Sequence, residues 1–236
     1  LDFRRQRQMC IRDRPNIKIL LTGKGRVGSG TKEVLDFLKI KEVSAQDFIN
    51  ETYSESVYVN IDVLDYNYSD SIENTVSNFY NYPEKFRSTF SKFLSVSDIY
   101  FAGHYHNPKA PKLITLDDIK NPDFNVQVIA DISCDIDGPI ASTIRPSTIE
   151  NPTYGFHKEK LVECDFLDEN ALAVMAVDNL PCELPRDSSE MFGEMFLKYV
   201  IPSFFNNDQE NILKNSKITS EGSLTDRFLY LSDYIQ

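Results

Sequence analysis

The segment Ile17-Lys18-Ile19-Leu20-Leu21 is a short apolar run that ends in Thr22-Gly23-Lys24-Gly25-Arg26-Val27-Gly28. The chain then opens into Thr31 to Leu38, where apolar residues recur at helical spacing. Strand, glycine turn and helix in that order fit the first unit of a parallel α/β sheet. Gly23, Gly25 and Gly28 match G-x-G-x-x-G. In that pattern the first glycine permits the tight turn, the second lets a pyrophosphate approach the backbone, and the third lets helix and strand pack closely. The free N–H groups and positive dipole end of the helix then face the phosphates. A glycine-rich turn can also be purely structural. Here strand and helix flank it as the motif requires, and the segment predicts a dinucleotide site.

The 236 residues can bury one large core or two small ones, and 41% hydrophobic with 26% charged residues is a globular balance. No apolar run approaches the roughly 20 residues that cross a bilayer, and no secretory signal opens the chain. The expectation is a cytoplasmic protein without a membrane partner. A net charge of -11 argues against a nucleic-acid partner. Cys10, Cys134, Cys164 and Cys182 lack C-x-x-C spacing and read as free thiols, neither a disulfide framework nor a zinc site. Leu1 to Arg14 carries Arg4, Arg5, Arg7, Arg12 and Arg14, unlike the acidic body. It reads as a leader foreign to the fold, the alternative being a basic arm for an anionic partner. A first strand so near residue 1 also raises the expectation of a missing upstream domain.

Further along, Ile40 to Ser44 is the expected second strand, its end facing the adenine ribose. The fingerprint asks for an acid about 20 residues beyond the glycines. Ser44 stands there instead, with Asp47 three residues on and Lys39 and Lys41 nearby, so NAD and NADP both stay open. Val57 to Val63 predicts a third strand, followed by a polar, tyrosine-rich surface insertion over 64–82 whose aromatics pack on the domain, the alternative being that they stack on a ligand. Pro83 to Leu94 predicts an amphipathic helix burying Phe86, Phe90, Phe93 and Leu94. A fourth strand, Asp98 to Gly103, runs into His104-Tyr105-His106, a turn expected to line a cleft. A metal is disfavoured there because no third ligand is suitably spaced and His157 is remote in sequence. Val126 to Asp131 is the fifth strand, and Asp131, Asp135 and Asp137 leave it together. A metal cage, acid–base work and a capped polar loop all fit that spacing, and a place beyond a strand's carboxyl end is functional by position. Leu172 to Val177 is the sixth strand and delivers Asp178-Asn179-Leu180-Pro181. Beyond it, Asp187 and Glu190 predict a capping box, and Phe192, Met195, Phe196, Tyr199 and Val200 a core-facing stripe. Two helical stretches, 209–214 and 224–234, finish the chain. The predicted fold is α/β, a Rossmann-like, doubly wound, mostly parallel sheet over 15–200 with C-terminal helices over 201–236.

Four motifs occur in order: Gly25-Arg26-Val27-Gly28-Ser29-Gly30, Ile129-Ala130-Asp131-Ile132-Ser133-Cys134-Asp135, Ser147-Thr148-Ile149-Glu150-Asn151-Pro152 and Ala176-Val177-Asp178-Asn179-Leu180-Pro181-Cys182-Glu183-Leu184-Pro185-Arg186. Together they resemble the saccharopine dehydrogenases, above all the lysine-ketoglutarate reductase branch, which is related to alanine dehydrogenase and transhydrogenase. The resemblance runs over 15–236. It implies a two-domain enzyme that moves a hydride at a C–N bond, interconverting saccharopine with lysine and 2-oxoglutarate on NAD or NADP. It also implies that the catalytic lysine and histidine lie in the upstream domain, so no catalytic residue is carried over, this portion is inactive alone, and its C-terminal helices pack toward that domain. Cofactor contacts implied at matching positions are Gly25 and Arg26 on the pyrophosphate, with Gly23, Val27 and Gly28 in the same cofactor-binding turn, and Ser44 at the ribose. Tyr105 would lie along the cofactor, Asp131 and Ser133 follow the fifth strand, and Val177, Asp178, Asn179 and Leu180 border the nicotinamide. Ser44 stands where NAD-using members place an aspartate. An alanine dehydrogenase-like reaction and a non-catalytic nucleotide-binding module are the alternatives.

Overall fold

The computed structural model describes residues 16–235, so the arginine-rich leader lies outside the described residues. The chain divides into two compact units, Leu1–Leu180 and Pro181–Gln236. The sequence reading placed this divide after Val200.

In the first unit β1 (Lys18–Thr22) leads to α1 (Arg26–Phe37), β2 (Lys41–Glu42), α2 (Ala45–Asn50) and β3 (Val57–Ile61). An excursion follows, comprising α3 (Val63–Tyr66), β4 (Asn67–Tyr68), α4 (Val76–Asn81), β5 (Arg87–Ser88) and α5 (Ser91–Leu94). The chain re-enters the sheet at β6 (Ile99–Ala102), passes α6 (Leu116–Lys120) and adds β7 (Val128–Asp131), β8 (Thr153–His157), β9 (Glu163–Cys164) and β10 (Ala171–Met175). These strands form an eight-stranded sheet in the order β2-β3-β1-β6-β7-β10-β8-β9. It is parallel from β2 through β10, and only β8 and β9 run against their neighbours.

Parallel sheets bury both faces, and β1 shows how. Its alternate residues separate cleanly: Ile19 and Leu21 join Leu35, Ile40 and Tyr58 in one cluster. Leu20 joins the larger cluster with Val57, Val59, Phe90, Tyr100, Ile129 and Val174 on the other face. Helix α1 thus covers one side, while the aromatic excursion helps to cover the other. Tyr66 meets Phe90 edge-on at 5.3 Å, and Phe90 meets Tyr100 at 5.3 Å.

Three expectations are corrected here. The stretch 83–94 is not one helix, because Arg87–Ser88 is extended and pairs with Asn67–Tyr68, although Phe86, Phe90, Phe93 and Leu94 are all buried as expected. Strand β2, whose end was expected to face the adenine ribose, pairs with β3 at the sheet edge, and β3 separates it from β1. The antiparallel β8 and β9 extend the other side of the sheet, where no strand was expected.

In the second unit, α7 (Pro185–Met195) starts at Pro185 without a side-chain cap, so Asp187 and Glu190 form no capping box. Its apolar stripe is also not core. Phe192 and Phe196 stack at 5.9 Å, yet Phe192, Met195, Phe196 and Tyr199 are exposed. A helical stripe is buried only where another element packs on it, and of the five predicted residues Val200 alone is partly covered.

Candidate functional site

The carboxyl ends of β3, β1, β6 and β7 converge on a cavity of about 490 Å³. Its floor is the glycine turn. Gly23 has φ +97°, a conformation that favours glycine, and a Cβ there would strike the Gly103 carbonyl at the end of β6. A Cβ on Gly28 would strike the Gly23 carbonyl, whereas one on Gly25 would meet nothing within 4 Å. Two glycines therefore close the turn, and the third leaves open space. Gly25 is also the N-cap of α1, with no side-chain cap and no acid in the first turn. The first N–H groups of α1 are left for an anion, which is the arrangement a diphosphate requires.

The rim around the turn is supplied by Lys24, Arg26, Val27, Asp62, Tyr66, Tyr80, Tyr105, His106, Ser133 and Asp135. Below it lies a polar cluster. Thr22 Oγ1 is 2.9 Å from Tyr100 OH and 2.8 Å from His104 Nδ1, and all three residues are buried. Burial, reinforced by His106, holds the His104 pKa down at about 4, so the ring is neutral at pH 7. Burial likewise lowers His106, against the pull of Asp135, while burial and Asp131 raise the Asp135 carboxyl.

Asp131, at the end of β7, is fully buried and organises the loop that follows. Oδ1 accepts from the Ser133 N–H (3.1 Å), the Ser133 hydroxyl (2.6 Å) and the Cys134 N–H (3.2 Å), and Oδ2 accepts from the Thr143 hydroxyl (2.6 Å). Of the readings open for the three carboxylates, the structure favours the capped loop at Asp131. Among the described residues no group of three His, Cys, Asp or Glu is placed to hold a metal ion. Cys134 donates its thiol hydrogen to the Ala176 carbonyl (3.0 Å), and Ser147 bridges to Val177. These bonds tie the loop after β7 to the segment that begins Val177-Asp178-Asn179.

The sequence-predicted residues fall into two groups. Gly23, Gly25, Arg26, Val27, Tyr105 and Ser133 line the cavity, while Gly28 packs behind the turn. Asp131, Val177, Asp178, Asn179 and Leu180 lie outside the lining, the first as the anchor of Ser133. Ser44 is also elsewhere: its hydroxyl caps α2 by accepting the Asp47 N–H at 3.1 Å. Because β3 is the neighbour of β1, the carboxylate at the carboxyl end of the adjacent strand is Asp62, which lines the cavity. Sequence reasoning missed it. The available signal was the β-branched run of β3 ending in an acid, but counting strands from the glycines pointed to β2.

A doubly wound, mostly parallel sheet with a glycine turn and an uncapped helix N-terminus at its switch point defines a Rossmann-like domain. Residues 59–227 match the model of the family described as alanine dehydrogenase/PNT, C-terminal domain, and the chain belongs to that family. It is similar to the mitochondrial alpha-aminoadipic semialdehyde synthase of Rattus norvegicus, with 24% identity over 249 residues, 91% of this chain and 27% of that protein. Similarity extends to the saccharopine dehydrogenase [NAD(+), L-lysine-forming] of Emericella nidulans, with 30% identity over 110 residues, 46% of this chain and 28% of that enzyme. Among solved structures an L-alanine dehydrogenase superposes with a TM-score of 0.45 at 15% identity, covering 85% of this chain and 46% of that one. The chain spans about a quarter of the length of these curated relatives.

Proposed function

We propose that this chain is the dinucleotide-binding portion of a saccharopine dehydrogenase-like oxidoreductase and that it prefers NAD to NADP. Asp62 carries the preference. A carboxylate at the end of the strand beside β1, in the cavity that holds the glycine turn, accepts from ribose hydroxyls and repels a 2′-phosphate. The open space at Gly25 and the uncapped start of α1 suit the diphosphate. Arg26 and Lys24 on the rim add positive charge there.

The bound nicotinamide would supply hydride transfer at the carbon of a C–N bond, between saccharopine and lysine plus 2-oxoglutarate. The work of this chain is to hold and orient. Ser133, fixed by Asp131, and the Val177 to Leu180 segment tied to the same loop border the nicotinamide end. Near-attack geometry also needs a second wall and groups that bind an amino-acid substrate. We assign these to a further domain of the full protein, toward which the exposed C-terminal stripe would pack, and we assign no catalytic residue to this chain. The free thiols of Cys134, Cys164 and Cys182 suit a reducing compartment such as the cytoplasm, although the rat relative is mitochondrial by name.

Calorimetric titration with NADH and NADPH tests the reading, with Gly25→Asp as control. A Cβ at Gly25 meets nothing within 4 Å, so the substitution is accommodated at its first carbon while a carboxylate enters the diphosphate space, and a thermal melt of the variant checks that it folds. Saturable binding, tighter for NADH and lost in the variant, is expected. Tighter NADPH binding defeats the preference, and binding of neither defeats the dinucleotide reading.

A further inference from the structure

Four buried side-chain polar atoms lack a hydrogen-bond partner among the described residues: Asn60 Oδ1, His104 Nε2, Ser142 Oγ and Asn206 Oδ1. Of these four residues only His104 lines the cavity at the glycine turn. The imidazole is buried, follows Gly103 directly, and is held at Nδ1 by Thr22. A buried polar atom without a partner is rare and asks for an explanation.

Proton counting fixes the state of the ring. The Tyr100 phenol is buried and neutral, since burial raises its pKa well above the ordinary value. If Tyr100 donates to Thr22 Oγ1 and Thr22 donates to His104 Nδ1, both hydroxyl protons are used and the ring's single proton sits on Nε2. In the reverse order Nδ1–H donates to Thr22 and Thr22 donates to Tyr100. The phenol proton is then stranded, because the other atom near it, His104 Nδ1 at 3.5 Å, is already a donor. Each order leaves one proton unplaced, but only in the first, where it is the N–H at Nε2, does it belong to a residue that lines the cavity, since Tyr100 is fully buried outside the lining.

We propose that His104 is a ligand-binding residue whose Nε2–H donates to an acceptor oxygen of the dinucleotide backbone, at the diphosphate or the ribose beside it. This rests on the dinucleotide reading above. The position is suitable because β6 lies between β1, which carries the diphosphate turn, and β7, which carries Ser133. Asp62 and Ser133 mark the two ends of the cavity's strand row, and His104 stands between them. Tyr100 and Thr22 are then positioning residues that keep the ring in the donating tautomer.

Nitrogen-15 imidazole spectra of the chain, free and saturated with NADH, give one test. The free protein should show an unprotonated Nδ1 and a protonated Nε2, and NADH should move the Nε2 proton resonance downfield. Titration calorimetry gives the other. His104→Phe, which keeps the bulk and removes the donor, should weaken NADH binding about tenfold, and His104→Gln should restore it to within about threefold. A free protein in the Nδ1–H tautomer, an Nε2 signal unmoved by NADH, or a His104→Phe variant with unchanged affinity each overturns the proposal while wild-type binding leaves the dinucleotide reading standing. An Nε2 whose bonded water persists with NADH present counts against it in the same way. If the wild-type chain binds no NADH, both fall together.

Discussion

Gly28 is seated against the carbonyl of Gly23, so closely that α1 and the end of β1 leave no room for a Cβ between them. Gly25, three residues away, has open space instead. The two glycines should therefore respond oppositely to alanine. Gly28→Ala should lose about 1–3 kcal/mol or more, the range of overpacking, because the contact is with backbone. Gly25→Ala should stay within about 0.5 kcal/mol of wild type. Urea unfolding of both variants checks this, and equal losses would contradict the packing described.

Asp62 and Ser44 separate binding from capping. Asp62→Asn keeps a side chain able to cap α3 and removes the charge, so NADH affinity should fall about tenfold and NADPH should gain relative to it. Ser44→Ala should lose about 1 kcal/mol of stability through the α2 cap and leave NADH affinity unchanged. Paired titrations and melts distinguish the two residues.

Asp131 is a buried carboxylate with four hydrogen-bond donors. Asp131→Ala strands those donors and should lose roughly 3 kcal/mol or more, since bonds to a charged group are each worth about 1.5–3 kcal/mol before relaxation. Ser133→Ala removes one of them and should lose less, about 1.5–2 kcal/mol. A chemical denaturation series would show the ordering, and a mild Asp131→Ala would mean that the loop rearranges.

The pH dependence of stability carries the mark of His104. Its folded pKa, about 4, lies below the ordinary 6.5, so between those values the unfolded chain binds a proton that the folded chain refuses. Stability from this group is complete above pH 6.5 and is lost as pH falls toward 4, by on the order of 3 kcal/mol. His104→Phe should flatten that slope in unfolding measurements from pH 4.5 to 7.

The parallel centre of the sheet was legible in the sequence because β1, β3, β6, β7 and β10 are short apolar runs bounded by turn residues. The buried set Phe86, Phe90, Phe93 and Leu94 was legible too, but the shape was not. Aromatic residues spaced for a helix also suit a folded-back hairpin, and pairing with Asn67–Tyr68 decides between them. The site was half legible. Glycine spacing located the turn, whereas the carboxylate proposed for the ribose, Asp62, depends on which strand lies beside β1, a long-range choice that local spacing does not record. Strand β8 had one cue, the isolated glycine in Thr153-Tyr154-Gly155-Phe156-His157. A Cβ at Gly155 would meet the Asp165 carbonyl at 2.5 Å, the close backbone approach that a lone strand glycine marks. The Phe192 stripe erred because helical periodicity describes a face and says nothing about what covers it.

The pairing of β1 has a consequence for synthesis. Ile19 faces Tyr58 on one side and Ile99 on the other, so β1, once out of the ribosome, lacks its neighbour on one side until residues 57–61 emerge and on the other until 99–102. The glycine turn closes against Gly103, one residue later still. The segment that most resembles a ready-made local motif is thus completed by the chain's own later arrivals, and a nascent chain halted before Gly103 presents an open apolar strand to chaperones.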